Sequence, residues 1–141
     1  VSADEKLEVQ ILAEGTDEAA LSNLEKILKS KETLLRKSLD AQGEIVPRLE
    51  DGRIVFSFFK GTINKDQISA CALLSIRIWK LAQVLKRVVA KEQAAENEKY
   101  AFRCFLLRLG FIGGQYRMER KVLLARLAGN MAFKEVPGGT A

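Results

Sequence analysis

The sequence predicts an α+β fold, with a small antiparallel sheet of about three strands and one or two helices in the N-terminal half, followed by a three-helix C-terminal half. Three observations carry this prediction. Apolar and polar residues alternate over residues 6–13, the dipeptide Asp51-Gly52 joins two β-prone runs, and apolar residues recur at helical spacing from Asn64 onward.

The alternation over residues 6–13 has a period of two, which is typical of a half-buried strand. Thr16 is expected to cap the helix that follows, because its side chain is short and acidic residues come directly after it. The helical pattern restarts near Ser30, which indicates a second short helix, and Gly43 is expected to end this helical region.

The pair Asp51-Gly52 favours a tight hairpin turn, because both residues tolerate positive φ. We therefore expect residues 44–49 to pair with residues 53–59. Pro47 lacks the backbone N–H that a central strand needs, so the first of these two strands is expected at a sheet edge or at a bulge.

Asn64 is expected to cap a long helix that continues to about Glu92 and carries two apolar stripes. A further helix is predicted at residues 98–109, ended by Gly110, and a last one at residues 115–128.

A length of 141 residues predicts one domain over residues 1–141. Its sheet-containing part is expected at about 1–60, its helical part at about 61–134 and a flexible tail at 135–141. We expect the chain to be a piece of a longer protein. It shows neither a secretory apolar segment nor an uncharged run long enough to cross a membrane, so a cytoplasmic location without membrane contact is expected.

The chain contains no histidine, which excludes Ser-His-Asp and Cys-His catalysis and histidine-based zinc sites. Cys71 and Cys104 are expected to be buried free thiols. The carboxylates Glu92, Glu96 and Glu98 lie close enough in sequence to bind a metal or to act in acid–base chemistry, but capping and solvation explain them without such chemistry. We expect no enzymatic activity, no cofactor and no metal site.

Charge is distributed unevenly along the chain. Residues 1–59 hold 8 Lys and Arg against 12 Asp and Glu, a net charge of −4, whereas residues 60–134 hold 15 against 5, a net charge of +10. A concentration of positive charge of this kind attracts phosphate backbones, but it also suits an acidic protein.

Helical spacing predicts two basic surfaces. Four cations would fall within roughly a quarter-turn of the long helix at ~100° per residue, and three more cluster on the last helix. The candidate nucleic-acid contacts are therefore Arg77, Lys80, Arg87 and Lys91, together with Arg117, Arg120 and Lys121.

Five short motifs and two longer stretches carry a resemblance to a known family. The longer stretches are SKETLLRKSL and the strand ending FSFF. The short motifs are K-R-V-x-A-K-E at 86–92, N-E-K-Y-A-F-R-C at 97–104, L-G-F-I-G at 109–113, R-K-x-L-L at 120–124 and G-N-x-A-F-K at 129–134. With these motifs the chain resembles the C-terminal domain of the virulence-related proteins found on mobile elements of Firmicutes.

The resemblance covers most of the chain and departs from the family pattern at Gly114 and Met131. The family name reflects genomic context, and the family brings no assigned functional residues. The resemblance implies a further domain upstream in longer members. Four residues of the matched motifs are not required by packing: Arg103, Arg120, Lys121 and Asn130. Arg103 and Asn130 are therefore added to the candidate binding residues.

These observations predict a non-enzymatic binding domain, with a preference for nucleic acid, acting as an accessory module of a mobile genetic element. The alternative is a protein-interaction or oligomerisation module. It would use Phe111 and Tyr116, expected to be exposed near the turn between the last two helices, and the edge strand at 44–49.

Overall fold

The computed structural model describes residues 6–13, 18–41, 45–60, 64–89, 91 and 97–129. Their elements run in the order β1 (Lys6–Leu12), α1 (Glu18–Ser30), α2 (Glu32–Leu39), β2 (Arg48–Glu50), β3 (Arg53–Lys60), α3 (Lys65–Val84), α4 (Glu98–Arg108), a 3-10 helix (Gly114–Tyr116) and α5 (Arg117–Leu124). The fold is α+β, as the sequence predicts.

The three described strands form an antiparallel sheet in the order β1-β3-β2. Asp51 and Gly52 both have positive φ, 48° and 74°, as the tight hairpin turn between β2 and β3 requires. The predicted hairpin is therefore confirmed, and so is the edge position of its first strand. That strand is shorter than expected, since β2 begins at Arg48, directly after Pro47.

The helix α3 lies at the centre of the domain, where it packs against α1, α5 and β1. Asn64 begins it as expected: its side chain accepts a hydrogen bond from the backbone N–H of Gln67, and the Gln67 side chain accepts one from the backbone N–H of Asn64. The buried core combines residues from the sheet with residues from all five α-helices, among them Leu24, Leu35, Ile54, Phe56, Leu74, Ile78, Trp79, Phe102, Leu106 and Leu123.

The end of α3 differs from the sequence prediction. The helix ends at Val84, and Leu85 has an extended backbone, whereas the apolar pattern predicted a helix to about Glu92. The side-chain amide of Asn23 on α1 donates hydrogen bonds to the carbonyl oxygens of Ala82 (3.1 Å) and Leu85 (2.8 Å). Asn23 thus satisfies carbonyl groups that a continuing helix would have used.

The last helical region is also shorter than predicted. In place of one helix over residues 115–128, the chain forms the 3-10 helix, then α5, and then turns from Ala125 to Gly129. By contrast α4 matches its predicted range closely, and Gly110, with φ 100°, follows its end as expected. The expected cap Thr16, the expected stop Gly43 and the tail at 135–141 lie outside the described residues.

Candidate functional site

A cleft of about 700 Å³ opens where α1, α3 and α4 meet the segment that follows α3. Four of its described lining residues are cations, six are apolar and one is Ser30. The cations are Lys31, Arg87, Lys91 and Arg108, and the apolar residues are Ile27, Leu81, Leu85, Val88, Val89 and Phe105. We refer to these eleven residues as the basic cleft.

The early end of α3 creates the basic cleft. Because Asn23 holds the carbonyl oxygens of Ala82 and Leu85, the chain leaves the helix axis and carries Arg87 and Lys91 to the cleft. The predicted arc of four cations on one helix is therefore wrong, since Arg87 and Lys91 lie beyond the last residue of α3.

The described lining of the basic cleft contains no carboxylate. Arg87, Lys91 and Arg108 are exposed, and none of the three forms an ion pair with another described residue. Lys31 lies at the junction of α1 and α2, with its ammonium group 5.4 Å from the centroid of the Phe105 ring. Four positive charges around one opening attract anions and disfavour cationic ligands.

Two of the predicted binding residues take part in packing within the chain. Arg77 donates a 2.8 Å hydrogen bond to the Tyr116 hydroxyl group, and its guanidinium lies 5.5 Å from the centroid of the Tyr116 ring. Arg120 donates hydrogen bonds to the carbonyl oxygens of Phe111 (2.7 Å) and Gly113 (3.0 Å). These guanidinium groups stabilise the turn between α4 and α5. This structural role accounts for the presence of both arginines without a bound ligand.

The other predicted cations are separated from the basic cleft. Lys80 on α3 and Arg117 and Lys121 on α5 are exposed, whereas Arg103 on α4 is half-buried, and none of these four lines the cleft. Asn130 lies outside the described residues. Of the described residues that the sequence singled out, only Arg87 and Lys91 lie together with further cations in this cleft.

The predicted aromatic interaction surface is wrong for Phe111, which is fully buried. Its ring packs against that of Tyr116 at a centroid distance of 5.9 Å, and Tyr116 is half-buried beneath Arg77. The exposed apolar residue at this turn is its neighbour Ile112, which the sequence prediction did not select. The side chain of Arg120 donates a hydrogen bond to the carbonyl oxygen of Phe111, a contact that no local pattern indicates.

The edge strand β2 is exposed along all three of its residues. Arg48 pairs with Glu8 of β1 at 3.2 Å and with Glu50 at 3.1 Å, so its charge is satisfied within the sheet. Charged residues and a preceding proline are features that protect a sheet edge against pairing with other chains. The edge strand β2 therefore offers little support for the predicted protein-interaction surface.

The two cysteines have different environments. Cys71 is buried, and this burial raises the pKa of its thiol from 9.0 to about 12, although Arg126 acts in the opposite direction. Cys104 is exposed, which contradicts the prediction that both thiols are buried. The reason is its position on α4, two residues away from both Phe102 and Leu106, on the face of the helix that the core leaves uncovered.

Among the described residues, no group of three or more Cys, Asp or Glu side chains is placed to hold a metal ion. No described helix combines the length and the apolar character that crossing a membrane requires.

Sequence reasoning missed Lys31, Arg108 and Asn23. Lys31 belongs to the acidic half of the chain, so a division by sequence separated it from the cations it meets in space. Arg108 follows Phe105 by three positions and therefore lies on a neighbouring helical face, a signal that helical spacing could have supplied.

Comparison with known proteins found no relative of this chain. No family model, no curated protein and no solved structure matches it.

Proposed function

We propose that this domain is a non-enzymatic nucleic-acid-binding module and that its basic cleft is the contact surface. The observation that carries the proposal is the meeting of Lys31, Arg87, Lys91 and Arg108 at one cleft whose described lining has no carboxylate. In complexes with nucleic acids, clustered cations of the protein mostly contact phosphate groups, and these contacts do not depend on the base sequence.

The charge of the surrounding chain supports the same ligand. Residues 60–134 carry a net charge of +10, and Lys80, Arg117 and Lys121 stay exposed outside the cleft. A polyanion gains from this wider field during approach, whereas a small anion would interact mainly with the cleft. The role as an accessory module of a mobile element rests only on the sequence resemblance, and the expectation of three helices in the basic half rests on apolar periodicity.

The binding experiment is a salt titration by fluorescence anisotropy with a labelled oligonucleotide. If all four cations contact phosphate, the logarithm of the association constant falls with the logarithm of salt concentration at a slope of about −3, or roughly 50-fold between about 50 and about 200 mM salt. The neutral double variant R87Q/K91Q is expected to reduce this slope to about half. Absence of binding at low salt would contradict the proposal.

A protein partner is the second candidate, and one observation favours it. Val89 is 70 % exposed at the cleft, beside the half-buried Leu81, Leu85 and Val88. Aliphatic surface of this kind also suits the apolar face of an acidic amphipathic helix. Recovery of a tight complex with such a peptide, together with no affinity for oligonucleotides, would favour this function.

A further inference from the structure

The basic cleft has an apolar part and a positively charged part. Its floor is formed by Ile27, Leu81, Leu85, Val88 and Phe105, which are all buried or half-buried. Its exposed cations lie around this floor, and Val89, which is 70 % exposed, extends the apolar surface toward solvent. A ligand that fills the cleft therefore meets positive charge and apolar surface at the same time.

The apolar contact surface of the cleft is aliphatic. Phe105 is only 4 % exposed, and the ammonium group of Lys31 lies 5.4 Å from its ring centroid. The ring is therefore not open for stacking. A flat apolar group in the cleft would pack on Leu85, Val88 and Val89, and this contact discriminates little between different bases.

We propose that the basic cleft binds single-stranded nucleic acid, with phosphates on its four cations and base faces against the aliphatic residues of its floor. This inference rests on the proposed function and names the form of nucleic acid that the cleft takes. A single strand presents charged phosphates and unstacked base faces together, which matches both parts of the cleft. A duplex stacks its base faces inside and would leave the floor without a partner.

An acidic amphipathic helix would satisfy the same two parts of the cleft, and two observations favour the nucleic acid over it. The apolar surface that a ligand can reach is short, because Phe105 is only 4 % exposed and the lining also contains the polar Ser30, whereas a docked helix needs a continuous row of apolar contacts. In addition, the net charge of +10 over residues 60–134 extends well beyond the cleft, which suits a long polyanion.

The experiment compares three labelled probes of equal length at one low salt concentration. They are a single strand of ~12 nucleotides, an abasic sugar–phosphate strand with the same charge, and a duplex. The single strand is expected to bind at least about fivefold more tightly than either of the others, because only its bases reach the floor.

Val89 and Val84 provide a matched pair of variants. Both are valines with similar exposure, 70 % and 74 %, but only Val89 lines the basic cleft. V89S is expected to weaken binding of the single strand by about threefold and to leave the abasic strand unaffected. V84S is expected to change neither affinity, and both variants keep the fold because the substituted side chains are exposed.

The outcomes separate the two proposals. Equal affinity for all three probes, with V89S equal to V84S, would overturn the inference of single-strand binding and leave the proposed function intact. No binding of any probe would overturn the proposed function. An acidic amphipathic peptide that binds more tightly than the single strand and displaces it would overturn the inference in favour of a protein partner.

Discussion

The side-chain amide of Asn23 donates a 2.8 Å hydrogen bond to the carbonyl oxygen of Leu85 and a second, of 3.1 Å, to that of Ala82. Asn23 is buried on α1, and the two carbonyl groups belong to the end of α3. One side chain therefore joins two helices and determines where the chain leaves α3. Because Arg87 and Lys91 follow directly, the same contact places half of the cations of the basic cleft.

Replacement of Asn23 by aspartate is expected to destabilise the domain by about 1–3 kcal/mol, because the carboxylate has the same shape but cannot donate to the two carbonyl groups. Chemical denaturation measures this change. S22A, at the exposed neighbouring position on α1, serves as the control and is expected to alter stability by less than about 0.5 kcal/mol. Equal stability of N23D and the unmodified protein would show that the Asn23 contacts do not hold the end of α3.

Tyr116 and Arg77 are expected to contribute to stability and not to ligand affinity. Y116F removes the hydroxyl group that accepts the 2.8 Å hydrogen bond from Arg77, at a cost of about 0.5–1.5 kcal/mol, and keeps the ring under the guanidinium. Thermal denaturation measures the loss, and Y100F, at a half-buried tyrosine of α4, is the control. If Y116F instead weakens oligonucleotide binding without a change in stability, Arg77 belongs to the contact surface.

Gly129 is expected to tolerate no side chain. Its φ is 103°, and a Cβ atom there would lie 2.1 Å from Oδ1 of Asn97, the oxygen that accepts the backbone N–H of Tyr100 at the start of α4. G129A should therefore destabilise the domain by more than about 2 kcal/mol. Gly114 has open space around it, so G114A is the matched control and is expected to stay within about 0.5 kcal/mol of the unmodified protein. Similar stabilities of the two variants would contradict this arrangement.

The thiol groups are expected to differ in reactivity. In the folded protein at neutral pH, a thiol reagent should modify Cys104 alone, and after denaturation both cysteines should react. The reason is that Cys71 is inaccessible and that burial raises its pKa to about 12. Modification of two thiols per folded chain would contradict the burial of Cys71.

The raised pKa also predicts a pH dependence of stability. Below pH 9.0 the Cys71 thiol is protonated in both states, but between 9.0 and about 12 the unfolded chain loses this proton while the folded chain keeps it. The folded state then binds more protons, so the free energy of unfolding falls as the pH rises through this range. Denaturation at increasing pH should show a smaller decline for C71A than for the unmodified protein, and identical declines would contradict the prediction.

The parts of the fold that were predictable from the sequence depend on short-range chemistry. The capping pair Asn64 and Gln67, the turn at Asp51-Gly52 and the helix stop at Gly110 each follow from residues a few positions apart. The parts that were not predictable depend on contacts between distant segments. Apolar periodicity continues past Val84, so nothing nearby indicates that a side chain of α1 ends this helix.

The candidate site follows the same division. Composition alone indicates that the second half of the chain is basic, but Arg87 and Lys91 were selected by a helical spacing that does not apply to them, since both lie beyond the end of α3. Which cations are available was not predictable, because Arg77 and Arg120 are indistinguishable from the others until their contacts with Tyr116 and with the carbonyl group of Phe111 are seen. Lys31 lies at the cleft because α1 packs against α3, a tertiary contact that the sequence does not indicate.

The decisive measurement is the affinity of a labelled single strand for two charge-reversal variants, R87E/K91E and R117E/K121E. Both variants change the net charge of the protein equally, and all four substituted residues are exposed, but only the first pair lines the basic cleft. A cleft-centred site predicts at least about a tenfold loss of affinity for R87E/K91E and less than about a threefold loss for R117E/K121E. Equal losses, or a larger loss for R117E/K121E, would contradict the assignment of the basic cleft as the binding site.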